Sequence, residues 1–165
     1  MVLSRKILMY IIPKHVRFCL KGSKVQMIGL IGDVLLNDRL FVKHNCIVIC
    51  LRDSRCCLCK LTNDIKGVRH GHIKWLVLRG IGYKIAKQAN DLELRLGFSH
   101  SVFFPLEDST CVFVFNNNKL KICGPCLNRV SLIAGNIRML AKVNVYKGSG
   151  IINRGKTFKL KVGKR

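Results

Sequence analysis

Between residues 16 and 51, short apolar, strand-like runs follow one another with polar turn signals between them. Runs at 16–20, 25–31, 34–36, 40–42 and 46–51 predict strands. The turn signals Lys21-Gly22-Ser23, Asn37-Asp38 and His44-Asn45 separate them. A short helix is predicted from about Ser54 to Ile65, with Asp53 or Ser54 available as N-cap. The same grammar restarts near Ile73. Strands are predicted at 73–78 and 83–87, around Arg79-Gly80-Ile81-Gly82. Leu92, Leu94 and Leu96 alternate with Glu93 and Arg95, the period of a half-buried strand. Runs at 102–104, 111–115 and 119–123 continue the pattern, and Asn116-Asn117-Asn118 reads as a hairpin turn. The period then changes. Leu127, Val130, Ile133, Ala134, Ile137 and Ala141 recur at helical spacing, with Arg129, Arg138 and Lys142 off that stripe. Pro125 is placed in the first helical turn, where its missing N–H costs nothing.

These elements predict an α+β fold in two tandem domains, each a mostly antiparallel sheet packed with one helix, followed by a basic C-terminal extension. The halves also match weakly in sequence: Gly29-Leu-Ile-Gly-Asp-Val34 and Gly97-Phe-Ser-His-Ser-Val102 each sit between two predicted strands. The reading is therefore a duplicated unit joined near Gly71, with domains at 1–72 and 73–165.

Composition changes the picture in two ways. An apolar content of 49% excludes a disordered basic tail, so the chain has a core. Against that core stand 30 Lys and Arg and only 8 Asp and Glu, a net charge of +22. The first 32 residues carry six basic side chains and no acid, and 109–165 carry twelve and no acid. Self-repulsion on this scale favours a bound polyanion, and nucleic acid is the natural one. The apolar run 7–12 stops at Pro13, far short of the roughly 20 residues a membrane span needs, so no membrane partner is expected. Arg5, Lys6, Lys14 and Arg17 give the start of the chain a transit-peptide colour, but strand-like alternation begins so soon that the segment is read as part of the folded protein. Nine cysteines, an odd number including adjacent Cys56-Cys57, lie mostly in apolar runs and point to a reducing compartment.

The sharpest functional signal is C-terminal. Tyr146-Lys147-Gly148-Ser149-Gly150 is followed by Ile151-Ile152-Asn153-Arg154 and a tail with Lys156, Lys159, Lys161, Lys164 and Arg165. Glycines at 148 and 150 let backbone approach a phosphate and turn N–H groups toward it. In an extended tail, Thr157, Lys159 and Lys161 would face RNA while Phe158, Leu160 and Val162 face protein. The spacing of a nucleotide-binding P-loop is absent.

From Leu78 onward these residues resemble the universal large-subunit ribosomal protein L-six. The matching pieces come in family order: Arg79-Gly-Ile-Gly-Tyr83, Leu94-Arg-Leu-Gly-Phe-Ser-His-Ser-Val102, the 124–142 helix with Ile137-Arg138, Tyr146-Lys-Gly-Ser-Gly-Ile151, and the closing Gly163-Lys164-Arg165. Upstream, Ile12-Pro13 and the strands of 16–50 are similar to the family's first domain, more loosely. The resemblance implies two tandem sheet-and-helix domains and no enzymatic activity or cofactor. It also implies binding to large-subunit rRNA near the sarcin–ricin loop and stalk base, beside other large-subunit proteins and where translation factors dock. The expected rRNA-binding residues are Lys147, Gly148, Ser149, Gly150, Arg154, Lys156, Lys159, Lys161, Lys164, Arg165 and His100. Several positions depart from the family pattern. Ser149 replaces a usual Lys, Ile152-Asn153 replaces a usual Arg-Tyr with Arg154 following, and His100-Ser101 replaces His-Pro. With the unusual Arg55-Cys56-Cys57-Leu58-Cys59, this drift points to an organellar version, mitochondrial before plastid or bacterial.

Two other chemistries compete. Cys123-Gly124-Pro125-Cys126 has thioredoxin redox spacing between a strand and a helix, where a helix N-terminus would lower the first thiol's pKa. Ile122 stands where that family has Trp, and no proline lies downstream to supply its cis-proline. Cys56-x-x-Cys59 and Cys123-x-x-Cys126 could together hold zinc only by bridging the two domains. His70 and His72 are expected to be RNA-facing or solvated. No metal and no catalytic constellation is expected.

Overall fold

The computed structural model describes residues 7–11, 15–21, 24–36, 40–43, 46–50, 54–107, 109–157 and 159–163. The chain divides into two compact units, 1–72 with 125–127, and 73–124 with 128–165. The first contains β1 (Ile7–Ile11), β2 (Arg17–Lys21), β3 (Lys24–Ile28), β4 (Asp33–Leu36), β5 (Leu40–Lys43), β6 (Cys46–Cys50) and α1 (Ser54–His70). Its strands form two antiparallel sheets, ordered β1-β6-β5 and β2-β3-β4. Val25 and Met27 on β3, with Val16 and Leu36, bury against Leu61, Ile65 and Val68 of α1.

The second unit repeats the order with β7 (His72–Arg79), β8 (Lys84–Gln88), β9 (Asp91–Arg95), β10 (Val102–Pro105), β11 (Cys111–Phe115), β12 (Lys119–Gly124) and α2 (Leu127–Leu140), then adds β13 (Gly150–Asn153). Its sheets are β8-β9-β10 and β11-β12-β7-β13. The topologies match element for element: β2-β3-β4 corresponds to β8-β9-β10, and β1-β6-β5 to β7-β12-β11. This is an α+β fold of duplicated sheet-and-helix units. Val130, Ile133, Ala134 and Ile137 make the buried stripe of α2, packed on Leu76, Leu78, Leu92, Leu94, Leu120, Ile122 and Ile151. No helix among the described residues is long and apolar enough to cross a membrane.

Several sequence expectations are corrected here. α1 runs on to His70, past Ile65, because Leu61, Ile65 and Val68 share one buried face. Gly67 sits inside the helix for a packing reason: a Cβ there would collide with the Pro125 carbonyl oxygen and come within 2.8 Å of the His72 ring. Gly71, at φ 75°, ends the helix by donating its N–H to the Gly67 carbonyl at 2.8 Å. His72 is not simply solvated: its half-buried ring bonds the Asn63 carbonyl through Nε2 at 2.9 Å. The predicted strand 25–31 stops at Ile28, where Gly29 donates to the Gly32 carbonyl across a turn. Pro125 lies ahead of α2, which begins at Leu127. The turns at 22–23, 37–38 and 44–45, the Asp53 cap, Ile12-Pro13 and Leu51 fall outside the described residues.

Candidate nucleic-acid interface

The loop between α2 and β13 is built by Asn144. Its Oδ1 accepts the Tyr146 N–H at 2.9 Å and the Lys147 N–H at 3.2 Å. Its carbonyl accepts the Gly148 N–H, and its own N–H donates to the Ser149 carbonyl, both at 2.8 Å. Three successive N–H groups are thus spent inside the turn. This corrects the expectation of a backbone phosphate cradle: the loop offers the Lys147 side chain, not the N–H groups of 146–148.

Gly150 is also explained by packing. It is buried at φ 140°, and a Cβ would lie 2.7 Å from the Val143 Cα and 2.9 Å from the Lys142 carbonyl oxygen. Ile151 enters the core and pairs with Leu78, so 150–153 is an edge strand on β7 and not a free basic segment. Ser149 is half-buried at the loop's end.

The folded unit brings three separate motifs to one cleft of about 460 Å³. Arg79, Gly80, Ile81 and Tyr83 line it with Leu96-Gly97 and Lys147-Gly148-Ser149. The Tyr83 ring fixes the spacing, since a Cβ on Gly80 would meet it at 2.8 Å and one on Gly97 at 3.3 Å. Beside the cleft, residues 97–100 form an exposed bend carrying Phe98 and His100. Glu93 anchors its end. The carboxylate accepts from Ser101 Oγ at 2.8 Å, Arg95 Nε at 3.1 Å and Gln88 Nε2 at 2.9 Å.

Ser101's hydroxyl first, then Arg95, holds the Glu93 carboxyl below the usual carboxylate value, with burial opposing. A lowered folded-state pKa means the unfolded chain binds the extra proton. The stabilisation is therefore complete above the ordinary carboxylate value and is lost as pH falls through the folded value. Glu93→Gln is expected to remove that acid-limb loss, read as melting temperature against pH between neutral and acid conditions.

The remaining cations take several settings. The Arg154 guanidinium lies 5.2 Å from the Trp75 ring centroid, and the Arg154 backbone N–H donates to the Trp75 carbonyl at 3.0 Å. Lys156, Lys159 and Lys161 are exposed on a tail without regular structure, tied down where the Lys161 N–H meets the Val145 carbonyl at 3.0 Å. The alternation expected to turn apolar tail residues onto the protein is not obeyed, because Leu160 and Val162 are exposed. Lys164, Arg165 and Phe158 lie outside the described residues. Arg79, Tyr83 and Leu96 were not among the expected site residues; their glycine-flanked motifs were the available signal.

The cysteine chemistries find little support. Cys123 lies in β12 opposite Cys111 and donates to its carbonyl at 3.4 Å, and both cysteines of the motif precede α2. Burial foremost, then Cys111, pushes the Cys123 thiol up, with Lys121 opposing; a redox nucleophile needs the reverse. Among the described residues, no three His, Cys, Asp or Glu side chains converge as metal ligands.

No protein-family model matches the chain. Individual relatives do. The large ribosomal subunit protein uL6 of Trichodesmium erythraeum is 32% identical over 93% of this chain and 92% of its own length. That of Tropheryma whipplei is 33% identical over 93% of each, and that of Caldanaerobacter subterraneus is 38% identical over 63% of this chain and 58% of its own. These relatives are proteins of the large ribosomal subunit. The chain belongs to the uL6 family.

Proposed function

We propose that this protein is a structural constituent of the large ribosomal subunit that holds folded rRNA and performs no chemistry. Its site is the cleft between Arg79–Tyr83 and the 146–149 loop, extended by Arg154, Lys156, Lys159 and Lys161 and flanked by His100. The RNA is the large-subunit rRNA near the sarcin–ricin loop and stalk base, beside neighbouring ribosomal proteins and the docking ground of translation factors. The observation that carries the reading is the convergence of the three glycine-containing motifs, separated in sequence, on one cationic cleft in a member of this family. Eight carboxylates cannot neutralise thirty cations, which supports a polyanionic partner. The setting is a mitochondrial ribosome; nine cysteines and the altered loop support it, although the relatives above are bacterial.

Hydroxyl-radical footprinting of the full chain on large-subunit rRNA tests this directly. Protection is expected at the sarcin–ricin hairpin and stalk base, weakened severalfold by Lys147→Gln, because one charge-assisted phosphate contact is removed. Protection elsewhere, insensitive to Lys147, contradicts the assignment.

A further inference from the structure

We propose that the outward face of sheet β11-β12-β7-β13 is a second RNA-binding surface, one that stacks splayed bases of a single strand. It shares only Arg154 with the site proposed above and includes neither the cleft nor the tail beyond Gly155. Strand alternation sends Val112, Leu120, Ile122, Leu76 and Leu78 to the core, which leaves Phe113, Phe115, Lys119, Lys121 and Trp75 on the opposite face. Phe113 is 50% exposed and Phe115 42% exposed, large values for phenylalanines inside strands.

Cations interleave with these rings. Phe113 pairs across the ladder with Lys121, and Phe115 with Lys119. Lys121 Nζ lies 5.8 Å from the Phe113 centroid and 5.8 Å from that of Trp75, whose ring meets Phe115 at 5.3 Å. Arg154 covers Trp75 from the β13 side. None of the four strands contains an acid. The other sheet of the unit differs, since β9 carries Asp91 and Glu93.

Exposed π-faces and unneutralised cations alternating on one flat surface match a ligand that itself alternates bases and phosphates. Geometry selects the single strand. Phe113 and Phe115 are two residues apart, about 7 Å along a strand, twice the roughly 3.4 Å base spacing of a stacked strand. Bases seated on both rings must therefore be unstacked, as in loops and bulges and not in a helix. An acidic peptide would satisfy the cations but leave the rings without matching faces.

Trp75 is the only tryptophan and lies within this cluster, so its fluorescence reports occupancy. Titrating the full chain with a short single-stranded uridine oligonucleotide is expected to quench it. Phe113→Leu and Phe115→Leu should each weaken binding by about tenfold, while Phe113→Tyr and Phe115→Tyr bind like the native chain. Lys121→Gln should flatten the log–log salt slope by about 0.7, one single-strand phosphate, and does not depend on how the leucine variants fold. A chain ending at Gly155 should keep the leucine-sensitive quench, which separates this surface from the tail. The proposal is overturned if the leucine variants keep their affinity in folded protein, if Lys121→Gln leaves the slope unchanged, or if polyglutamate binds with the same phenylalanine dependence.

Discussion

Ending the chain at Gly155 is expected to cut the salt dependence of rRNA-fragment binding by more than half while leaving the fold intact. The full chain brings Lys147, Arg154, Lys156, Lys159, Lys161, Lys164 and Arg165 to the proposed site. At about 0.9 per neutralised duplex phosphate, these cations give a log–log slope of about −6. A fourfold rise in salt then weakens binding several-thousandfold by the same relation. Five of the cations lie beyond Gly155, so the shortened chain should show a slope of about −2. The cut must stop there. Removing everything from Tyr146 would also delete β13, whose Ile151 is wholly buried against the α2 core, and lost binding would then report unfolding. Filter binding across a salt series, with circular dichroism on both chains, decides the matter. Equal slopes would remove the tail from the site.

The second large effect is expected from Gly150→Ala. At φ 140° an L side chain is strained, and its Cβ would press on the Val143 and Lys142 backbone, which cannot yield as a flexible side chain can. Backbone strain and overpacking together cost about 3 kcal/mol. For a unit of this size that lowers the melting temperature by roughly 10–20 °C. Gly155→Ala is the matched control. It also has positive φ, 86°, but nothing lies within 4 Å of its Cβ, so only conformational strain of about 1 kcal/mol is expected. Equal melting shifts for the two variants would mean that Gly150 is kept for something other than packing.

Gly150 also shows where the sequence was legible and where it was not. Alternation placed β9, β11 and β12 within a residue of their ends, because each has one wall of buried aliphatics: Leu92 and Leu94, Val112, Leu120 and Ile122. The duplicated topology was suggested by the paired glycine turns at 29–34 and 97–102 together with the strands-then-helix order of each half. β13 was hidden, since Gly-Ile-Ile-Asn is too short to show a period and its pairing with β7 is a tertiary fact. The end of α1 was hidden by Gly67, a helix breaker by propensity whose missing side chain makes room for the Pro125 carbonyl and the His72 ring. In the tail, alternation overreached: Leu160 and Val162 are exposed instead of packed on the protein.

The site was half legible. Composition identified the cationic tail, and motif order identified the family, but neither foretold that Asn144 consumes the loop's N–H groups. The Trp75–Lys121–Arg154 cluster was unreadable for a different reason. Its members sit on or beside three strands that only the sheet order brings together.

Everything rests on electrostatic mass action: a shell of thirty cations finds its counter-charge in ribosomal RNA. Gradient sedimentation of a native extract at physiological ionic strength measures this most directly, with the protein followed by immunoblot. Co-migration with the large subunit, abolished by ribonuclease, is the predicted result. Protein that stays at the top of the gradient beside intact large subunits contradicts it.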